Sequence, residues 1–277
     1  MKKMLFSVLI GMAVLAGFQA QAADTNVYSP NVVGFVQISL PATNGLVPLA
    51  PAFNAIGTGT NNPLLNIQDV LGTNQYAANL NKWADHVYIW NGSTYDISFL
   101  PLGYGVNDYV WSVLDPDTHL PVSIEGNPSN QVAQGIGFWL ARGRGPATNA
   151  FLTGEVPTAP SVTNTILPGL TLIGNPYPAT NSLDNLIPYT TSGVHGGLTQ
   201  GKSDQVYFWN GTGYDVAWLT GARGDPSTDN HWCFGSPPAL CATNDVFTVK
   251  PGVGLWYYAK SPTNFSWVVN IPYSVSP

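Results

Sequence analysis

Val87-Tyr-Ile-Trp-Asn-Gly-Ser-Thr-Tyr-Asp96 returns 119 residues later as Val206-Tyr-Phe-Trp-Asn-Gly-Thr-Gly-Tyr-Asp215. In both stretches β-branched and aromatic residues run up to an Asn-Gly pair, and a second aromatic run starts at Tyr95 and Tyr214. That content favours strands, and Asn-Gly accepts the positive φ of a tight hairpin. The stretch therefore predicts a β-hairpin, twice. Loops of two and of four residues both fit, so the cross-strand register stays open at this level.

Further matches lie on either side of the hairpin. Gly135-Ile-Gly-Phe-Trp139 returns as Gly252-Val-Gly-Leu-Trp256 at an offset of 117. Asn62-Pro-Leu-Leu-Asn-Ile67 aligns with Asn181-Ser-Leu-Asp-Asn-Leu186 at 119, and Gly34 with Gly154 at 120. Matches in one order at nearly constant offset are the signature of an internal repeat. The expectation is two tandem units, residues 23–150 and 151–277, behind a leader at 1–22. Each is expected to open with a strand, Val32–Leu40 in one and Leu152–Pro160 in the other, so that 161–168 belongs to the second unit rather than to a free linker. Asn62–Leu71 reads as a short helix, with Asn62 as cap, Pro63 in the first turn and Gly72 as stop. Gly-x-Gly-x-Trp reads as a late strand whose glycines allow a tight turn or close backbone packing. It lacks the third glycine and following helix of a nucleotide loop. The fold class is all-β: two homologous small β-sandwich or barrel-like units with at most one short helix each.

Lys2 and Lys3, the apolar run Leu5–Phe18 and Ala20-Gln-Ala22 form a secretory leader with a small-x-small cleavage site. The run falls short of the roughly 20 residues that span a bilayer. A secreted, periplasmic or cell-surface location without a membrane span is expected. Without residues 1–22, seven basic residues face fifteen acidic ones, a net charge of −8. Nucleic acid is an unsuitable partner, because phosphate binding needs clustered Lys and Arg. Only 9% of residues are charged, while 44% are hydrophobic. The chain thus has the apolar content to fold, and its polarity comes from Asn, Thr, Ser and Gly, as in extracellular β-proteins. Cys233 and Cys241, an even pair in an exported chain, are expected to form a disulfide around a short loop.

No catalytic pattern stands out. Glu125 and Glu155 are the only glutamates, and His86, His119, His195 and His231 lie in no metalloprotease or nucleophile-elbow context. Asp96 and Asp215 hold the same place in each copy, and bonding to the hairpin loop explains them. Asp115-Pro-Asp117 and Asp225-Pro-Ser-Thr-Asp229 are oxygen-rich and are candidates for calcium, but turn chemistry explains them equally. Arg223-Gly-Asp225 matches a cell-adhesion tripeptide that chance also supplies, and the sequons at Asn91 and Asn210 coincide with the hairpin turns. Among nine tryptophans, Trp90/Trp209 and Trp139/Trp256 recur at strand positions, which assigns them to core packing. Trp111 and Trp232, read as loop residues, are the candidates for a ligand surface.

Leu172-Ile-Gly-Asn-Pro176, Trp209-Asn-Gly and Pro251-Gly-Val-Gly-Leu-Trp256 together resemble a repeated β-module of uncharacterised bacterial secreted proteins, with an LIxNP strand, a W-x-G hairpin and a PGxGxW strand. Val27-Tyr-Ser-Pro-Asn-Val-Val-Gly-Phe35 resembles the mature start of some members. The first copy departs from the pattern, with Pro51-Ala-Phe-Asn54 for LIxNP and Gln134 for the proline. The resemblance implies an extracellular β-module and transfers no catalytic residue. The expected function is a non-enzymatic structural or interaction protein, with envelope or matrix components as partners. Polysaccharide binding through exposed aromatics is the alternative, and an extracellular hydrolase the third.

Overall fold

The structure is a computed structural model that describes residues 33–56, 64–123, 131–221, 224–235, 240–241 and 248–274. The leader, Val27–Val32, Asn62, Pro63, Glu125 and Arg223 lie outside the described residues. The first half carries β1 (Val33–Leu40), β2 (Leu46–Leu49), β3 (Leu65–Asn66), α1 (Ile67–Leu71), β4 (His86–Trp90), β5 (Tyr95–Phe99), β6 (Ser112–Leu114), β7 (Pro121–Ser123), β8 (Gln131–Val132), β9 (Phe138–Ala141) and β10 (Thr148–Glu155). The second carries β11 (Ser161–Ile166), β12 (Gly169–Gly174), β13 (Asn181–Ser182), α2 (Leu183–Leu186), β14 (Gln205–Trp209), β15 (Tyr214–Leu219), β16 (Trp232–Phe234), β17 (Leu240–Cys241), β18 (Thr248–Val249), β19 (Gly254–Ala259) and β20 (Phe265–Asn270).

Each half is built on a six-stranded antiparallel sheet, β2-β9-β4-β5-β6-β7 in the first and β12-β19-β14-β15-β16-β17 in the second. A long ribbon, β1–β10 or β11–β20, and a short pair, β3–β8 or β13–β18, accompany each sheet. Leu49, Ile67, Val87, Trp111, Phe138 and Leu152 close one core. Ile173, Leu183, Val206, Trp232, Leu255 and Trp267 close the other. The fold is all-β and sandwich-like, and no closed barrel occurs among the described residues. Residues 31–277 cluster as one compact unit. No helix among the described residues is long and apolar enough to cross a membrane.

The hairpin register settles the loop length. Trp90 faces Tyr95 and Trp209 faces Tyr214, leaving four-residue loops. Asn91 Oδ1 accepts from the Ser93 and Thr94 amides at 3.1 and 3.0 Å, and Asn210 Oδ1 does the same for Thr212 and Gly213 at 3.1 and 2.9 Å. Gly92 and Gly211 supply φ of 98° and 99°. Asn91 Nδ2 and Asn210 Nδ2 donate to Asp96 and Asp215, each at 3.3 Å. These two aspartates hold the hairpin loops.

Three sequence alignments shift. Gly34 and Gly154 are not counterparts but cross-strand partners in the β1–β10 ribbon. The strand corresponding to β1 is β11, since Leu40–Thr148 and Ile166–Phe265 close the two ribbons alike. Position 150 lies inside β10, and the halves meet in residues 156–160. The helix begins at Ile67 rather than after Asn62, and it corresponds to Leu183, because Leu65–Val132 and Asn181–Val249 pair at the same place. Gly72 does stop α1, at φ 63°.

The halves join through backbone. Gly137 N donates to Leu172 O at 2.7 Å, Gly174 N to Gly135 O at 2.8 Å and Ala50 N to Gly252 O at 3.0 Å. Isolated bridges pair Ile136 with Ile173 and Leu49 with Val253. A Cβ on Gly137 would stand 2.7 Å from Leu172 Cγ, and one on Gly174 would stand 2.6 Å from Val253 O. Gly137→Ala and Gly174→Ala should therefore each cost about 1–3 kcal/mol through forced backbone shifts. Thermal denaturation should show a drop of roughly 2–4 °C per kcal/mol. Gly201→Ala, where nothing lies within 4 Å, should leave the melting curve in place.

Candidate aromatic cleft

Strand alternation decides where the rings go. On β4, Val87 and Ile89 are buried in the core, which turns His86, Tyr88 and Trp90 to the opposite face. Cross-strand pairing adds Tyr95 and Ile97 of β5 and Trp139 of β9 to that face. In the second half, Tyr207, Trp209, Tyr214 and Trp256 stand at the corresponding positions. Each sheet thus turns a matching quartet of two tyrosines and two tryptophans away from its own core, and the second sheet adds Trp218 and Tyr258 beside Gln205.

The two quartets meet. Trp90 lies edge-on to Trp256 at 6.3 Å and Trp139 edge-on to Trp209 at 5.8 Å, while Trp139 and Trp256 tilt together at 6.5 Å. Edge-to-face contact puts the positive ring edge on the negative face. Trp90 Nε1 donates to Leu170 O at 3.1 Å, and Trp209 Nε1 donates to Leu46 O at 3.0 Å. Each half therefore reaches into the edge strand of the other. Trp139 and Trp256 end up 7% and 8% exposed, whereas Tyr95 and Tyr214 remain 36% and 42% exposed. Beside this layer opens a cleft of about 410 Å3, lined by Trp139, Trp209, Trp256, Tyr88, Tyr95, Tyr214 and Leu46. Leu46 and Tyr88 also line an adjoining pocket of about 570 Å3, whose far wall carries Asn81, Lys82 and His86.

Two buried carboxylates, one in each half, serve structure. Asp85 accepts from the Tyr76 and Gly143 amides, both at 2.8 Å, and from the Arg142 guanidinium. Burial lifts its carboxyl above the usual value, and those donors pull it back. Burial pulls the His86 imidazole below its ordinary value, and its Nδ1 and Nε2 meet Ala84 O at 2.9 Å and Asn81 Oδ1 at 2.5 Å. In the second half Asp204 accepts from the His195 and Lys260 amides at 2.8 and 2.7 Å and from the Tyr257 hydroxyl. Burial, and then the Asp204 charge, hold that phenol protonated far above its ordinary range.

Trp111 and Trp232 do not form a ligand surface. Trp111 directly precedes β6 and Trp232 opens β16, and they are 1% and 0% exposed. Their indoles donate inward, Trp111 to Gly72 O at 3.1 Å and Trp232 to Ile187 O at 3.0 Å. They are core residues. The recurrent tryptophans assigned to core packing instead form the layer between halves and border the cleft. The signal that separates the two sets is the alternation of Tyr88 and Trp90 with Val87 and Ile89. The tyrosines of the cleft carried no expectation of their own.

Cys233 and Cys241 face one another across β16 and β17 with their sulfurs 2.00 Å apart. His231 Nδ1 meets Asp184 at 2.7 Å, so this ring bonds a carboxylate. Asp115 Oδ1 accepts from Asp117 N, Thr118 N and Thr118 Oγ1, which hold its carboxyl below the usual value. Asp225 Oδ1 accepts from the Ser227 amide and hydroxyl. Both candidate calcium loops are turns organised by their first aspartate. Among the described residues no three His, Cys, Asp or Glu side chains gather as a metal site. Compared with protein-family models, with curated proteins and with solved structures, the chain matches none.

Trp111→Ala and Trp232→Ala should each destabilise the protein by about 3–5 kcal/mol, as emptied core sites do. Denaturant midpoints measure the effect, and an unchanged midpoint would return these residues to the surface.

Proposed function

We propose that this chain is an exported, non-enzymatic binding protein built on a duplicated β-module, and that the aromatic cleft between its halves holds a carbohydrate chain. The observation that carries the reading is the cleft itself. Its size falls in the range of roughly 300–1,000 Å3 typical of ligand sites. Three tryptophans and three tyrosines line it, and Tyr95 and Tyr214 stay partly exposed.

The chemistry of the lining favours sugar over a purely apolar ligand. A pyranose ring presents an axial C–H face with partial positive charge and a rim of hydroxyls. Indole and phenol rings offer a negative face to the former, and the tyrosine hydroxyls offer hydrogen bonds to the latter. No Asp, Glu or His lines the aromatic cleft, and Asp85 and Asp204 are occupied in holding backbone, which supports binding rather than turnover. The leader, the cysteine pair and the uncharged polar composition support export, and the resemblance of the repeated motifs to modules of secreted proteins points the same way.

Titration with soluble polysaccharides, followed by indole emission and by retardation in polysaccharide-containing gels, tests this. Tyr95→Ala and Tyr214→Ala should each weaken binding about 3–10-fold, the scale of one aromatic contact. Both rings lie at the rim, so the melting temperature should move little. A broad panel of neutral and acidic polysaccharides that leaves emission and mobility unchanged would sink the carbohydrate reading.

A further inference from the structure

The polar end of the cleft carries a second feature, and it bears on which carbohydrate is held. We infer that the ligand is an anionic polysaccharide, whose sugar rings lie on the aromatic layer and whose carboxylate or sulfate groups meet Lys82 and Arg144. The inference rests on the carbohydrate reading and narrows it.

The distribution of charge is the starting observation. Outside residues 1–22 the chain has seven Lys and Arg against fifteen acidic residues, so cations are scarce. Two of the seven, Lys82 and Arg142, line the pocket that adjoins the cleft, and Arg144 lies two residues beyond Arg142. Arg142 is spent on Asp85. The other two flank one indole: Lys82 Nζ lies 5.6 Å and Arg144 Cζ 4.1 Å from the Trp83 ring centre. Neither has a carboxylate within 4.0 Å among the described residues. Lys82 lines the pocket that adjoins the aromatic cleft and shares Tyr88 with it.

The carboxylates that would repel such a ligand are turned away or neutralised. No Asp or Glu lines either pocket. Asp96 pairs with Ile89, a core-facing position, so it stands on the other face of the sheet from Tyr88. Asp85 is buried against Arg142. The corresponding end of the second half repeats the charge with different residues, for Lys260 Nζ lies 4.8 Å over Tyr258, which faces Gln205 across the sheet. The excess negative charge elsewhere matters little at this range, since charges beyond about 8–10 Å are screened at physiological salt. Lys82, which lines the adjoining pocket, and Arg144, which shares the Trp83 ring with it, therefore count for more here than the net charge of the chain. Held on an aromatic face, Arg144 is pre-placed for a planar anion, and less freedom is lost on binding.

Binding of polygalacturonate and alginate, each against its fully esterified neutral form, and of dextran sulfate against dextran, tests the inference on the full exported chain. The charged form of at least one polymer should bind about tenfold tighter than its neutral form at low salt, the scale of charge-assisted contacts. The preference should shrink as salt rises. The K82Q/R144Q variant should lose that preference while keeping its affinity for the neutral form, and Lys82→Arg should retain it. Gln at both positions keeps the side-chain stems, and the melting temperature of the variant reports whether the loop is intact. Equal binding of charged and neutral forms by the unaltered protein overturns the anionic assignment and leaves carbohydrate binding standing. Equal loss of both forms in a folded K82Q/R144Q variant overturns it as well. Binding of no polysaccharide at all overturns both readings together.

Discussion

The contact on which the rest of the molecule depends is backbone against backbone, where Gly135-Ile-Gly137 meets β12 and where Gly252 meets Ala50. At 2.7–3.0 Å between amide and carbonyl, no side chain fits between the segments. A buried amide left without a partner costs about 1–3 kcal/mol, so these bonds hold the two edge strands in one register. The glycines are there because the chains must touch. Gly135 and Gly252 also take φ of 80° and 83°, which lets the strand turn into the junction.

That approach sets what lies on the outer face of each sheet. With the edges fixed, Trp139 and Trp256 meet across the junction, and Trp90 and Trp209 reach past them to carbonyls of the opposite half. The packing is incomplete because Tyr95 and Tyr214 follow the four-residue loops and sit at the ends of the layer. The cleft is the space that this arrangement leaves open. Its walls are made rigid by edge-to-face contacts and indole hydrogen bonds, which lowers the entropy that a ligand's arrival would otherwise remove.

The halves differ where a charge is buried. Asp85 and Asp204 occupy corresponding positions and each accepts two backbone amides, but Arg142 balances the first and the Tyr257 hydroxyl meets the second. A carboxylate taken out of water needs donors on most of its lone pairs, and two different neighbours satisfy that need. The side chain that supplies the donor then decides what else stands nearby. In the first half Arg142 lines the pocket, and Arg144 follows it after Gly143.

Local chemistry made much of this fold readable from the letters. The hairpins, the Gly72 stop, the cysteine pairing and the all-β class follow from turn propensity, periodicity and short-range spacing, which act over a few residues. The alternation on β4 keeps Val87 and Ile89 off the face of Tyr88 and Trp90, but which of the two faces is the core is not written in it, and the recurrent tryptophans were assigned to core packing for that reason. Short identities without a register were less secure. Gly34 and Gly154 look alike because both need room beside Phe53, and they are ladder partners rather than repeats. Trp111 and Trp232 looked like loop residues because the strands they adjoin are only three residues long, and only the packed core shows them buried. Whether a strand's second face meets water or another sheet is a long-range property, set by how the edges dock. The sequence by itself determined which residues share a strand face, as Tyr88 and Trp90 do against Val87 and Ile89. The tertiary structure alone decided that the two turned-away faces meet, because that depends on backbone contacts between segments far apart in the chain, which no local preference encodes.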